Sequence, residues 1–251
     1  MAKIIDGHTI ALSALVGSHN YNLNTESSDV DYKFFVYPTF DDLYTRTMYH
    51  KSIVTDEADY DIHDIRELPE LLWKSHINYL EILYSIDLSG NDELIKYIYA
   101  HRDEIAGCNP TQIYKACLYT AKNKQKLMLS DSYTRHESIA KYGYSVKSAY
   151  HVLLYLWFIE RYAKDWNYGS SLQFDGKQRE ILMEIKRGKY TKNMVDELIE
   201  KAEDKAIALQ EVYLSRKCDK TPCIAFDFKL QKILKDYLSD KVEDSNETSR
   251  C

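Results

Sequence analysis

The sequence predicts an α+β protein, in which an N-terminal domain with a small mixed β-sheet is followed by a mostly α-helical C-terminal domain. Segments rich in β-branched and aromatic residues occur before residue 90, whereas helical periodicity dominates from about residue 91 onward. Gly (8 residues) and Pro (4 residues) are scarce, which favours long helices. We therefore divide the chain into residues 1–90, residues 91–239 and a flexible tail at residues 240–251.

The N-terminal part alternates strand-like and helix-like segments. An apolar segment, Ile10–Val16, leads into a Gly-Ser pair. Val30–Tyr37 is β-branched and aromatic and is followed by Pro38, so we expect a strand there. Ala58–Ile65 alternates acidic and apolar residues and is a second strand candidate. Helices are predicted over Glu67–Ser75 and Tyr79–Ser85.

The C-terminal part is expected to be almost entirely helical. Asn109-Pro110-Thr111 and Gly169-Ser170-Ser171 are typical of breaks or caps between helices. The last residues, DKVEDSNETSRC, have almost no apolar content, which predicts the flexible tail. Helical periodicity covers Asp92–Ile105, Thr111–Leu129, Ser145–Lys164, Lys177–Lys186 and Lys192–Ser215.

The charge is unevenly distributed along the chain. The formal net charge of −6 argues against a protein that coats long DNA or RNA, because neutralising phosphates needs a basic protein. Residues 115–147 nevertheless carry seven basic and two acidic residues. This mix suits phosphate steering and base stacking, and it suits a solvated helix face equally well. The interleaved tyrosines are Tyr114, Tyr119, Tyr133, Tyr142 and Tyr144.

Membrane insertion and disulfides are not expected. The longest apolar run, Val152–Ile159, is too short for a bilayer span of about 20 residues, and the N-terminal segment lacks the features of a signal peptide. Five cysteines, an odd number without paired spacing, predict reduced thiols in a cytoplasm. Cys218 and Cys223 are the only close pair, and we find no two further ligands at matching spacing for a zinc site.

The stretch that suggests chemistry is LVGSHNYNLNTESSDVDYKFFV, residues 15–36. Asp29 and Asp31 open a predicted strand, so their side chains point to one face, roughly 7 Å apart along the chain. Two such carboxylates suit a pair of Mg²⁺ ions about 3.5–4 Å apart. Gly17 allows the backbone to approach a phosphate, and Ser18 offers a hydroxyl and an amide near an expected helix start.

This pattern resembles the signature of the DNA polymerase β nucleotidyltransferase superfamily: Gly-Ser, a spacer of about ten residues, then Asp-x-Asp in a strand. The stretch LLWKSHINYLEILYS, residues 71–85, resembles the segment of the family in which a turn precedes Leu-Glu. Residues 147–190 resemble the Lys-x-x-x-His helix and the following segment of the RNA-repair-pathway branch, found in bacteria and phages. The turn Ser75–Asn78 departs from the usual Gly-Asn-Pro, which leaves the branch and the substrate open.

The resemblance implies transfer of a nucleoside monophosphate from an NTP, such as ATP, to an acceptor hydroxyl, with release of pyrophosphate. Asp29 and Asp31 would hold two Mg²⁺ ions, with Mn²⁺ as an alternative. The third carboxylate, which would also bind metal and take the acceptor's proton, is Asp61 or Asp59. The residues expected to bind the nucleotide are Gly17, Ser18, Ser28, Lys147 and His151.

Several alternatives stay open at the level of the sequence. The acceptor could be an RNA or tRNA end, a protein hydroxyl or a small molecule, in the cytoplasm of a bacterium or a phage-infected cell. Asp29-Val30-Asp31 also suits a solvated strand start, and a lone histidine such as His151 on an apolar helix is often a core residue. A catalytically silent nucleotide-binding module, or one that interacts with a toxin or defence system, is the rival function. No oligomeric state is predicted.

Overall fold

The computed structural model describes residues 4–26 and 28–248 and confirms the predicted α+β fold class. An N-terminal mixed sheet has the strand order β1-β2-β3-β5-β4, and β6 pairs with β2. β3 and β5 are parallel, whereas the other pairs are antiparallel. The strands are β1 (Ile4–Ile5), β2 (His8–Val16), β3 (Asp31–Val36), β4 (His50–Val54), β5 (Asp59–Asp64) and β6 (Leu88–Gly90).

Helices fill most of the chain after the sheet. Two short 3₁₀ segments, Ile65–Glu67 and Glu81–Tyr84, flank the small helices between β5 and β6. The α-helices are α1 (Phe40–Thr45), α2 (Leu68–Trp73), α3 (Ile77–Leu80), α4 (Asp92–Ala106), α5 (Pro110–Leu127), α6 (His136–Tyr142), α7 (Val146–Asp165), α8 (Tyr168–Leu172), α9 (Gly176–Lys186), α10 (Lys192–Ala208), α11 (Gln210–Leu214) and α12 (Thr221–Thr248).

The two faces of the sheet differ because side chains alternate along a strand. Phe34, Val36 and Ile62 point to one face and form a small separate core. The opposite face carries the charged residues at the start of β3 and β5. These charged residues stand next to the helical part of the chain, where the candidate site lies.

One helix organises the main core. Twelve residues of α7 are buried, since VLLYLWFI makes that helix apolar on almost every side. α7 packs against α5, α9 and α10. The same buried cluster continues from Leu12 in the sheet to Ile233 in α12, so both parts of the chain share one core. Within the described residues, no helix has the length and apolarity needed to cross a membrane.

Some elements differ from the sequence-based expectation. The helix predicted over Lys192–Ser215 is interrupted near Leu209, giving α10 and α11. α12, a helix that was not predicted, extends to Thr248, and no Gly or Pro after Pro222 interrupts it. The flexibility of residues 240–251 stays a prediction. β4 was not predicted, since its sequence HKSIV is largely exposed and shows little apolar alternation.

Candidate functional site

The loop after β2 depends on glycine at its first position. Gly17 has φ +74°, a left-handed conformation that side chains disfavour. A Cβ atom on Gly17 would lie 2.8 Å from Oδ2 of Asp31, closer than real contacts allow. The Gly17 carbonyl accepts hydrogen bonds from the amides of Asn20 (3.0 Å) and Tyr21 (3.2 Å), which closes the loop into a tight turn. Glycine therefore allows the loop and the carboxylate to meet.

A buried carboxylate supports this loop from inside the protein. Glu81 is 2% exposed. Its Oε2 accepts a hydrogen bond from the Gly17 amide (2.8 Å), and its Oε1 accepts one from the Tyr21 hydroxyl (2.7 Å). Burial raises the pKa of Glu81 to about 7, although the hydrogen bonds from Tyr21 and Gly17 lower that pKa. The Gly17 amide is thus engaged by Glu81, and the sequence analysis assigned Glu81 no role.

Asp31 and Asp59 begin the neighbouring strands β3 and β5, whereas Asp29 precedes β3 by two residues and lies outside the strand in which it was predicted. Asp31 and Asp59 are direct partners in the parallel register, on strands about 4.8 Å apart. Burial raises the pKa of Asp31; Lys147 opposes this shift, and the negative charges of Asp59 and Asp29 reinforce it. A cluster of oxygen ligands whose charges repel each other fits the preference of Mg²⁺ for carboxylates, because a cation relieves the repulsion.

Asp61 has a different environment from Asp59. It lies opposite Lys33 in the register, and its Oδ2 is 2.5 Å from Lys33 Nζ and 3.0 Å from His63 Nε2. Hydrogen bonds from His63 and Lys33 hold the pKa of Asp61 well below its usual range. Of the two candidates for the third carboxylate, Asp59 is the one in register with Asp31, whereas Asp61 is paired with the Lys33 ammonium and accepts a hydrogen bond from His63.

A cavity of about 1240 Å³ joins the loop, the carboxylates and the helical part. It is large enough for a nucleotide and part of an acceptor, since small-ligand sites measure about 300–1,000 Å³. The structure brings together seven of the predicted residues in its wall, while Asp59 and Asp61 lie outside the lining. The seven are Gly17, Ser18, Ser28, Asp29, Asp31, Lys147 and His151.

The wall facing the carboxylates is basic. Lys147 in α7 places its Nζ 3.9 Å from Oδ2 of Asp29. Arg179 and Lys186 in α9, with Arg187 just after it, complete this wall. Of these four basic residues, only Lys147 was predicted to bind the nucleotide. Arg179, Lys186 and Arg187 lie within residues 147–190. The resemblance of that stretch to the family is the signal that could have identified them.

The helical part also holds the loop in place. The Tyr21 carbonyl accepts a hydrogen bond from the amide of Phe174 (3.0 Å). Arg179 Nε donates to the carbonyl of Asn22 (2.8 Å), and Lys186 Nζ donates to the carbonyl of Leu23 (2.7 Å). Contacts between residues more than 150 positions apart therefore fix the loop conformation, which local sequence patterns do not reveal.

His151 and Ser28 line the cavity with defined partners. His151 Nδ1 donates to the Lys147 carbonyl (2.7 Å), and burial lowers the pKa of His151 to about 3, so its ring is neutral at pH 7. Its remaining ring nitrogen is an acceptor, and the side chain offers no cationic contact to phosphate. Ser28 Oγ accepts a hydrogen bond from the Thr25 amide (2.8 Å), which shapes the loop before Asp29.

The tyrosines in and directly before the basic stretch of residues 115–147 differ in solvent exposure. Tyr114 and Tyr144 are buried, as expected for core residues. Tyr142 lines the cavity beside Lys147. Tyr119 and Tyr133 are exposed large aromatic side chains. Of the five tyrosines, one therefore faces the site and two are available to solvent.

No family model matches the chain, and a search of curated proteins finds no significant match. The chemistry of the site therefore has to be inferred from the geometry of its own residues.

Proposed function

We propose that this protein is a Mg²⁺-dependent nucleotidyltransferase that moves a nucleoside monophosphate from an NTP to an acceptor hydroxyl. One observation carries the proposal. Asp29 and Asp31 border a cavity whose opposite wall is basic, and Asp59, outside the lining, lies opposite Asp31 in the strand register. Opposed acidic and basic walls suit a ligand that brings both divalent cations and phosphate groups.

The basic wall supplies the binding of the triphosphate. Lys147, Lys186 and Arg187 offer cationic donors to phosphate oxygens, and Arg179 stands beside them. Ser18 is the second residue of the tight turn that begins at Gly17, and it would contribute its hydroxyl. Charge-assisted hydrogen bonds of this kind are stronger than neutral ones and hold the phosphates in one orientation.

The carboxylates supply the metal ligands. Asp29 and Asp31 would hold both ions, and Asp59 would complete one of the two sites. When bound, Mg²⁺ neutralises the negative charge of the phosphates and of the attacking and leaving oxygens. In this proposal Asp59 would also receive the acceptor's proton. His151 and Tyr142 line the same cavity as neutral groups that the base or the acceptor can contact.

The test is a label-transfer assay on the full chain. Each of the four NTPs, labelled at the α-phosphate, is incubated with Mg²⁺ or Mn²⁺ and with total tRNA, the protein itself or small hydroxyl compounds. We expect label in one acceptor fraction and none with the Asp29→Asn/Asp31→Asn variant. The matched control is Asp41→Asn/Asp56→Asn, which removes two exposed carboxylates outside the cavity.

The outcomes separate the rival functions. Transfer that survives the Asp29→Asn/Asp31→Asn change would contradict the proposed site. Calorimetric binding of an NTP without transfer to any acceptor would identify a catalytically silent nucleotide-binding module. If the protein neither binds an NTP nor transfers the label, that result would overturn the proposal and would favour a protein-interaction role.

A further inference from the structure

A second group of metal-ligating side chains lies on the same face of the sheet, beyond Asp61. His50 in β4 is the direct partner of His63 in β5, and Glu67 ends the 3₁₀ segment that follows β5. One ligand atom from each residue lies within 4.8 Å of the others. The three residues come from three different elements, so the fold itself assembles this group.

The distances suit a single tetrahedral ion. His50 Nε2 is 3.0 Å from Glu67 Oε2, and His63 Nδ1 is 3.7 Å from the same oxygen. With metal–ligand bonds of about 2.0–2.2 Å, tetrahedral ligands stand about 3.4 Å apart. Small side-chain adjustments would bring all three atoms to that spacing.

Hydrogen bonding around His63 leaves one ring nitrogen without a partner. His63 is 7% exposed, and its Nε2 faces Oδ2 of Asp61 at 3.0 Å, so Nε2 carries the hydrogen. In the neutral ring, Nδ1 is then a lone-pair acceptor. Within the described residues, His63 Nδ1 has no hydrogen-bond partner, and Glu67 Oε2 lies 3.0 Å from His50 Nε2 but accepts no hydrogen bond of good geometry. Two buried acceptors thus face each other, an arrangement that a cation between them would satisfy.

The surroundings of His63 match those of a metal ligand. Metal-bound histidines usually donate their other N–H to a carboxylate, which fixes the tautomer and the ring orientation. Asp61 has this position. The ring of His63 also packs against Phe35 (centroids 5.7 Å apart) and against the edge of Tyr79 (5.6 Å), so its orientation is constrained on both sides.

We propose that His50, His63 and Glu67 bind one transition-metal ion of the Zn²⁺ class. Two imidazoles and one carboxylate favour zinc over Mg²⁺, which prefers oxygen ligands alone. His50 is half-exposed, so water can occupy the fourth position. The ion would tie the edge strand β4 to β5 and would orient Asp61, which also contacts Lys33. This site is independent of the proposed transferase activity.

The test measures zinc binding by the full chain after treatment with a chelator. We expect calorimetry to find one equivalent bound, with an affinity that excess Mg²⁺ does not reduce. His50→Ala should abolish this binding, and it should fold normally because His50 is half-exposed on an edge strand. Asp61→Asn should weaken binding about 10–100-fold, as expected for a carboxylate that orients a ligand. The control His101→Ala removes an exposed histidine near Glu104 and should change nothing.

Cobalt provides a spectroscopic check on the ligand set. Co²⁺ bound to the wild-type protein should show the visible bands of a tetrahedral site without a sulfur charge-transfer band, which separates this site from Cys108 and Cys223. No zinc binding, or binding retained by His50→Ala, would overturn the inference and leave a protonated His63 beside Glu67 as the explanation. Binding that is lost only in Asp29→Asn/Asp31→Asn would overturn it too, and would locate the ion at the carboxylate cluster.

Discussion

Asp31 and Asp59 lie opposite each other on the parallel strands β3 and β5, with Asp29 two residues upstream. Asp61 occupies the next position on the same face, but it is paired with Lys33 and accepts a hydrogen bond from His63. The register therefore distinguishes two carboxylates that the sequence leaves equivalent. Asp59 adds to a concentration of negative charge, whereas Asp61 belongs to a balanced group of charges.

The first prediction concerns these two carboxylates. If the proposed activity is correct, Asp59→Asn should lower nucleotide transfer on the order of 100-fold, because it removes a charge that would stabilise the transition state through the metal. Asp61→Asn should lower transfer less than tenfold, since that carboxylate is already paired. Label-transfer rates at saturating Mg²⁺ measure the difference. The opposite ranking would identify Asp61 as the third metal ligand.

The second prediction concerns the loop glycine. Gly17→Ala should lower the free energy of unfolding by more than the ~1–2 kcal/mol that a left-handed alanine costs, because the new methyl group also collides with Asp31. Gly143→Ala is the matched control, since Gly143 has φ +79° and open space around its missing Cβ. Urea unfolding of both variants isolates the contribution of the close approach. Equal destabilisation would show that the loop moves away from Asp31 easily.

The third prediction is a pH dependence that originates from Glu81. Its pKa is raised from 4.5 to about 7 in the folded protein, so the folded state binds more protons than the unfolded state between these pH values. Stability therefore falls as pH rises from about 4.5 to 7, by about 3 kcal/mol from this group, and the contribution is constant above pH 7. Glu81→Gln should remove this part of the slope.

Urea unfolding at several pH values tests that dependence. At pH 5 the variant should be about as stable as the wild type, because the amide resembles the protonated carboxyl that Glu81 carries there. A wild-type slope that persists in Glu81→Gln would mean that another group titrates in this range.

The fourth prediction concerns the basic wall. Lys147→Ala should raise the KM for the NTP about tenfold, because a cationic donor to phosphate is lost. The effect should shrink as salt concentration rises, since Lys147 is largely exposed and salt screens its charge. Lys189→Ala is the control; this exposed lysine pairs with Glu184 and lies outside the cavity lining. If both changes raise the KM equally, the cause is the overall electrostatic field of the protein rather than a direct contact between Lys147 and phosphate.

Seven of the residues predicted from the sequence lie around one cavity in the structure. Gly17, Ser18, Asp29 and Asp31 all border one cavity, and the helix that carries Lys147 and His151 forms another wall. The helices were predictable because apolar residues recur with helical spacing. The register of β3 and β5 was not, because a parallel pairing depends on contacts between segments almost 30 residues apart.

The remaining features depend on tertiary structure. Glu81 is a polar residue in an otherwise apolar segment, and only its burial beneath Gly17 gives it a role. The group formed by His50, His63 and Glu67 was missed because its spacings of thirteen and four residues match no familiar ligand pattern. It also draws on β4, a strand that the sequence did not predict.

The loop between β2 and β3 is hydrogen-bonded to Phe174, Arg179 and Lys186, which belong to the C-terminal half of the chain. A fragment limited to residues 1–90 would lose these anchors and would expose the core that it shares with α7. A change in solution conditions that slows or accelerates hydrogen exchange of the loop amides should therefore change the exchange of the α9 amides in the same direction. The loop and α9 would behave as one cooperative unit of unfolding, so an isolated sheet domain is a poor starting point for dissecting the chemistry.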